Sequence, residues 1–265
     1  MVIAIIIIAL AAYAYIKIRK STKQLAPLGT ITVCTGAVKT GKSTLAVYLA
    51  QKCYKKALRQ WKLRSITGGA ERPLLYSNIP LSIPYVPITT DILLRRTNIV
   101  PKSVVLLDEA SLVADSQLIK DGEINKQLLK FFKLFGHQSH GGSIILDTQS
   151  ISDLHFAIKR CISNYLYIKR TRKWIPFLLQ MDVIEQRYSD DGTVISAETK
   201  DDDDITKHII IPKKVWKLFD CYCYSAMTDH LPVATNEQTA ETLKATKIPS
   251  FRNWETENEK KNQHI

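Results

Sequence analysis

Gly36-Ala-Val-Lys-Thr-Gly-Lys-Ser43 spaces two glycines, a lysine and a hydroxyl as GxxxxGK[ST]. Such spacing suits one chemistry, the grip of a nucleoside triphosphate. Gly36 and Gly41 let the chain curl, so that the N–H groups of Ala37, Val38, Lys39 and Thr40 turn inward on phosphate oxygens. The helix that must follow adds its unpaired donors and its dipole. Lys42 is expected to reach the β- and γ-phosphates, Ser43 to ligate Mg²⁺, and Thr44 to lie near the α-phosphate. Lys39 occupies a variable place in the loop, where a solvated charge serves equally well.

A hydrolase needs a second half, and Val104-Val-Leu-Leu-Asp108-Glu109 supplies it. The apolar run drives a strand into the sheet and delivers a carboxylate at its end. Asp108 is expected to hold the Mg²⁺ shell and Glu109 to polarise the attacking water. A plain pair of helix-capping acids would read the same way without the glycine loop upstream. "SIILDTQ" repeats the design with Gln149 at its end. Gln149 fits both a γ-phosphate sensor and a simple cap. Asp147 has a weaker claim, because its side chain should face away from that of Thr148. Arg160, Arg170 and Arg172 are candidates for an arginine finger, with a solvated face as the plainer role. His137 and His140 lack the further ligands a metal would need. Phe131, Phe132 and Phe135 are at helical spacing and read as core.

The elements that must position these groups alternate. "TITVCTG" reads as a buried strand, and "KSTLAVYLAQKCYKKALRQWKLR" as a helix. "LLYSNIP", "SVVLLDEA" and "GSIILDTQ" read as further strands. "EINKQLLKFFKLFGHQSH" is a helix ending near Gly136, and "ISDLHFAIKRCI" is a helix before the strand "NYLYIKRTRK". This rhythm predicts an α/β fold, a parallel sheet flanked by helices. Beyond it, "WIPFLLQMDVIEQRYS", "DDG" and "TVISAETK" read as a β-hairpin, and residues 172–211 as its appendage. "IIIPKKVWKLFDCY" starts as a strand and becomes a helix after Pro212. The ATPase domain is placed at 30–228 and a polar tail at 229–265.

A net charge of +12 over 265 residues favours polyanionic partners. Five scattered cysteines, Cys34, Cys53, Cys161, Cys221 and Cys223, do not form a disulfide framework and read as reduced thiols. Residues 1–16 carry no charge, and Lys17, Arg19, Lys20 and Lys23 follow them. As a helix this run covers about 24 Å of a hydrocarbon core of about 30 Å, and snorkelling lysines extend it. It reads as a single transmembrane anchor over 1–20, with 21–29 as linker and the rest of the chain in the cytoplasm. The rivals are a cleaved signal peptide, which would lead with basic residues, and a buried N-terminal helix.

The motifs "GAVKTGKST", "YSNIPL", "VVLLDEA" and "DTQSISDLHFAIKR" with the basic strand after it resemble the zonula occludens toxin-like (Zot) ATPases, assembly proteins of filamentous phages. "VWKLFDCY" is similar to that family's short aromatic segment near the end of its cytoplasmic domain. The resemblance covers roughly residues 30–225. It implies a P-loop NTPase of the additional-strand, RecA/FtsK-HerA-like class, with the glutamate beside the magnesium aspartate and a sensor strand between the two. It implies a multimeric inner-membrane ATPase that threads single-stranded DNA through the envelope while coat protein assembles on it. Lys42, Ser43, Asp108, Glu109 and Gln149 carry the family's roles. That family usually has its membrane helix after the ATPase domain; here the apolar run comes first.

The expected function is therefore a membrane-anchored ATPase motor using ATP and Mg²⁺, acting as a homo-oligomer on single-stranded DNA with coat or assembly proteins, at a host cell membrane. A translocase for genome packaging or plasmid transfer would keep the motor and change the job. A metabolite kinase would need a mobile arginine-bearing lid. A nucleotide-gated scaffold would have no use for Glu109.

Overall fold

The computed structural model describes residues 13, 25, 27–65, 71–88, 90–93, 98–111, 122–175, 178–188, 194–195 and 206–219. The expected anchor, the acidic run at 201–204 and the tail lie outside them, apart from single positions. No helix among the described residues is long and apolar enough to cross a membrane.

β1 (Ile31–Thr35) is buried along its whole length and ends at the glycine loop. α1 (Lys42–Ser65) follows. β2 (Leu75–Ser77), β3 (Val86–Pro87) and the short α2 (Thr90–Leu93) lead to β4 (Val104–Leu107). α3 (Gly122–Gln138) returns the chain to β5 (Ser143–Asp147). A 3₁₀ turn (Ile151–Asp153) and α4 (Phe156–Lys159) precede β6 (Asn164–Ile175). β7 (Leu178–Tyr188), β8 (Val194–Ile195) and β9 (Thr206–Pro212) complete the sheet, and a 3₁₀ segment (Lys213–Leu218) follows.

The strands lie in the order β3-β2-β4-β5-β1-β6-β7, with β8 and β9 both paired to β7. From β3 to β6 all neighbours are parallel. β5 thus stands between β1 and β4, as an additional-strand P-loop fold requires. The β4 run is apolar throughout because both faces are covered. Val104 and Leu106 pack with Leu45, Leu49 and Cys53 of α1. Val105 and Leu107 pack with Phe131, Phe132 and Phe135 of α3 on the other side.

Several boundaries differ from expectation. The helix expected over "ISDLHFAIKRCI" is a 3₁₀ turn and one short helix, separated where Leu154 takes an extended backbone (φ −78, ψ 141). Two side chains cause the break: Ser150 accepts from Ser152 N, and His155 Nδ1 accepts from Ala157 N, each starting its own turn. α3 runs through Gly136 to Gln138, so His137 is helical. The helix after Pro212 is 3₁₀ in form. The hairpin region extends the main sheet, since β7 pairs with both β6 and β9, and its Met181, Val183, Ile209 and Ile211 join the core beneath α1. Leu25, expected in a linker, is fully buried in that core. Cys34, Cys53 and Cys161 are free thiols; Cys221 and Cys223 lie outside the described residues.

Candidate nucleotide site

The glycine loop leaves β1 through backbone conformations that side chains resist. Gly36 has φ +152, Gly41 φ +88, and Lys39 the left-handed φ +65. A Cβ at Gly36 would stand 3.0 Å from Thr40 Oγ1 and 3.2 Å from the Ile168 carbonyl oxygen of β6. A Cβ at Gly41 would stand 2.7 Å from Met181 Cε. The loop is therefore moulded against β6 and β7. Thr171 Oγ1 donates to the Thr40 carbonyl at 2.6 Å, and Thr40 Oγ1 donates to the Ala37 carbonyl at 2.7 Å. Val38 is exposed at the tip. Lys42 is buried and its Nζ donates to the Ala37 carbonyl at 3.3 Å. The first turn of α1 carries no acid, so its dipole and donors are left for an anion.

On the next strands two carboxylates close the site. Ser43 Oγ donates to Asp147 Oδ2 at 2.8 Å. Asp147 Oδ1 accepts from Glu109 N at 2.6 Å, and its carbonyl accepts from Ala110 N at 2.7 Å. Asp108 hydrogen-bonds to Asp147 and to Ser43, and feels the Lys42 charge. Both acids are almost fully buried. Burial first, then the neighbouring Asp108 charge, pushes the Asp147 carboxyl well above the usual carboxylate range. Burial raises Asp108 too, and the bonds from Asp147 and Ser43 and the Lys42 charge oppose it. Of the two, Asp147 is pushed the further up. Asp147 thus sits inside the site, contrary to its weaker standing in the sequence. The "SIILD" strand end was the available signal. β5 lies between the loop and Asp108, so its terminal side chain must meet both.

Among the described residues, no group of three or more His, Cys, Asp or Glu forms a metal cage. Mg²⁺ does not need one. It keeps several waters and takes one or two carboxylates with substrate phosphates. Ser43, Asp108 and Asp147 present hard oxygens side by side, and two neighbouring buried carboxylates whose charges oppose each other suit a cation. The residues fit the metal.

Glu109 is half-buried, with the left-handed φ +48. Its N–H and that of Ala110, both held by Asp147, fix this uncommon conformation. Ser111 Oγ donates to Glu109 Oε1 at 3.0 Å. Asn78, to which the sequence reading gave no role, clamps Asp108 from the other side. Its Oδ1 accepts from Asp108 N and its Nδ2 donates to the Asp108 carbonyl, both at 2.8 Å. A polar residue at the end of "LLYSN", the strand beside β4, was the signal.

The structure does not bring Gln149 into this cluster. It is exposed two residues past β5, while Thr148 turns inward and donates to the Ser150 carbonyl. Arg172 Nη2 pairs with Asp182 Oδ2 at 3.3 Å, Arg160 lies over the Phe156 ring at 5.7 Å, and Arg170 is exposed.

The strand order, the glycine loop and the paired acids define a P-loop NTPase fold. This chain is similar to the solved N-terminal domain of zonular occludens toxin from Neisseria meningitidis, at 16% identity and a TM-score of 0.43, over 73% of this chain and 100% of that one. It is also similar to the genome packaging NTPase B204 from Sulfolobus turreted icosahedral virus 2. In complex with ATP-gammaS that protein matches at 13% identity and a TM-score of 0.33, over 63% of this chain and 95% of that one. In complex with AMPPCP it matches at 14% identity and a TM-score of 0.36, over 62% and 95%. No family model and no curated protein matches the sequence.

Proposed function

We propose that the chain is a membrane-anchored ATP hydrolase that drives single-stranded DNA extrusion during assembly of a filamentous virus. The observation that carries the hydrolase is the convergence of Lys42, Ser43, Asp108 and Asp147, with Glu109 held at the rim by Asp147. The loop N–H groups and the start of α1 bind the phosphates. Lys42 exchanges the Ala37 carbonyl for β- and γ-phosphate oxygens. Ser43 and Asp108, with Asp147 behind them, would hold Mg²⁺, which neutralises charge developing on the phosphates. Glu109 orients a water and draws its proton as the new oxygen–phosphorus bond forms and the β–γ bridge breaks, leaving ADP and phosphate. The motor and its DNA substrate rest on the family resemblance of the motifs and on the +12 charge. The anchor rests on the apolar run at 1–16.

The test is ATP turnover by the purified protein with no DNA, with single strands and with duplex, beside Lys42→Ala and Glu109→Gln. Loss in both variants and stimulation by single strands support the reading. Stimulation by duplex alone would favour a packaging or transfer translocase. Binding without turnover under every condition, membranes included, would favour a scaffold.

A further inference from the structure

The edge of the sheet opposite the nucleotide has its own construction. α1 starts at the carboxyl end of β1, and its 24 residues carry it back about 36 Å to the amino edge. There Trp61 and Arg64 meet Pro73, Pro101, Lys102 and His140, the residues just ahead of β2, β4 and β5. They enclose a surface cavity of about 430 Å³ whose one carboxylate is Glu71. α1 contains no acid anywhere, and its last turns expose Arg59, Lys62 and Arg64. Between two of these cations Leu63 is 71% exposed.

Four non-glycine residues among those described have a left-handed backbone. Lys39 and Glu109 belong to the nucleotide site; Lys102 (φ 58) and His140 (φ 46) both line this cavity. Lys102 N–H donates to the Ser139 carbonyl at 2.6 Å, which ties the two loops together.

The same edge receives the chain from its amino end. Gly29 N donates to Ser143 Oγ at 3.0 Å, and a Cβ on Gly29 would touch the Gly141 carbonyl, next to His140. Ile16 and the buried Leu25 are nine positions apart, a reach of at most about 30 Å.

We propose that this amino edge, built on Trp61, Leu63, Arg64, Lys102 and His140, docks on an anionic lipid bilayer and takes a headgroup phosphate into the cavity. The proposal deepens the membrane-anchored reading and rests on it: the chain that follows an anchor at 1–16 enters the fold at this edge, within reach of the bilayer. An exposed leucine and an indole flanked by cations suit a lipid interface. A phosphodiester backbone has no use for the leucine. The nucleotide then faces away from the membrane, open to the cytoplasm.

The test uses full-length protein with vesicles of phosphatidylcholine alone or doped with phosphatidylglycerol, carrying a headgroup-level spin-label quencher. Tryptophan quenching should appear on the doped vesicles and be lost in Trp61→Phe. It should fall at least about fivefold, the worth of a single cation at an anionic surface, in Arg59→Glu/Lys62→Glu/Arg64→Glu. Leu63→Asp and high salt should weaken it too. Equal quenching on both vesicles, or quenching that survives charge reversal, overturns the proposal. So does charge reversal that abolishes single-stranded oligonucleotide binding and spares the lipid signal. Flotation with phosphatidylcholine vesicles in high salt reads the anchor separately. If flotation there fails while charge-dependent quenching on doped vesicles persists, the anchor reading falls and the docking face stands.

Discussion

Asn78→Ala should loosen the end of β4, where Asp108 is proposed to help hold Mg²⁺, without touching the glycine loop. The Asn78 amide makes two hydrogen bonds to the Asp108 backbone, both 2.8 Å, one in each direction. Each net bond is worth about 1 kcal/mol, and each backbone group left without a replacement beside a buried carboxylate costs about 1–3 kcal/mol. The expected loss is about 2–4 kcal/mol, or roughly 5–15 °C in Tm for a domain of this size. Asp108 would no longer be pinned between Asn78 and the Asp147 cluster, so Mg²⁺-dependent ATP binding should weaken more than Mg²⁺-free binding. Asn78→Asp separates the two bonds. It keeps the acceptor for Asp108 N–H, loses the donor to the carbonyl, and adds a third carboxylate near Asp108 and Asp147. Thermal denaturation with and without MgATP measures all of this. A Tm shift under about 2 °C in Asn78→Ala, with unchanged Mg²⁺ dependence, would refute the clamp.

Asp147→Asn should stabilise the metal-free protein at neutral pH and abolish its response to Mg²⁺. In the wild type the raised Asp147 value means the folded state holds a proton the unfolded chain releases. Stability is therefore full below the ordinary carboxylate value of 3.8 and is lost as pH rises through the raised folded value. Tm against pH should fall in that direction more steeply in the wild type than in Asp147→Asn, and added Mg²⁺ should flatten the difference. Gly41→Ala should distort the loop through two causes, the 2.7 Å approach to Met181 and φ +88. Adding Met181→Ala should relieve the first and leave about 1–2 kcal/mol of the second, read as a partial return of ATP affinity. Thr171→Val should cost about fivefold in ATP Kd by freeing the Thr40 carbonyl, with little change in Tm, as calorimetric titration would show.

Legibility in the sequence followed the range of each interaction. The glycine loop is local: its residues, their spacing and the strand and helix on either side all lie in one stretch, so the strand and helix that flank it were legible before any fold was known. β4 and β5 were recognisable from uninterrupted apolar runs, which signal strands covered on both faces. Asp147 was undervalued because alternation along its own strand says which way it points, not what stands across from it. Its importance comes from β5 lying between β1 and β4, a fact of strand order. Asn78 drew no role for the same reason: a polar residue ends "LLYSN", but its partner is the backbone of Asp108, a group every residue carries. The break at Leu154 was missed because apolar spacing in "ISDLHFAIKRCI" suits a helix, while Ser150 and His155 divert the backbone through their own side chains.

Under the proposed hydrolase reading, Asp147 couples two tasks in one small site. One carboxylate oxygen takes the Ser43 hydroxyl from the phosphate-binding helix; the other takes the Glu109 N–H, which sets the left-handed turn that presents the glutamate. A metal and triphosphate that drew Ser43 away would remove a donor from one side of this carboxylate and favour its ionised form. The bond to Glu109 would then strengthen, because an ionised acceptor binds a backbone N–H about twice as strongly as a neutral one. In the proposed hydrolase, loading of the loop and presentation of Glu109 would thereby be linked through a single side chain. Asp147→Asn, which keeps an acceptor for Glu109 N but cannot gain charge, should preserve the turn and uncouple it from nucleotide. A variant that still hydrolyses ATP at the wild-type rate would show that Glu109 is presented without that link.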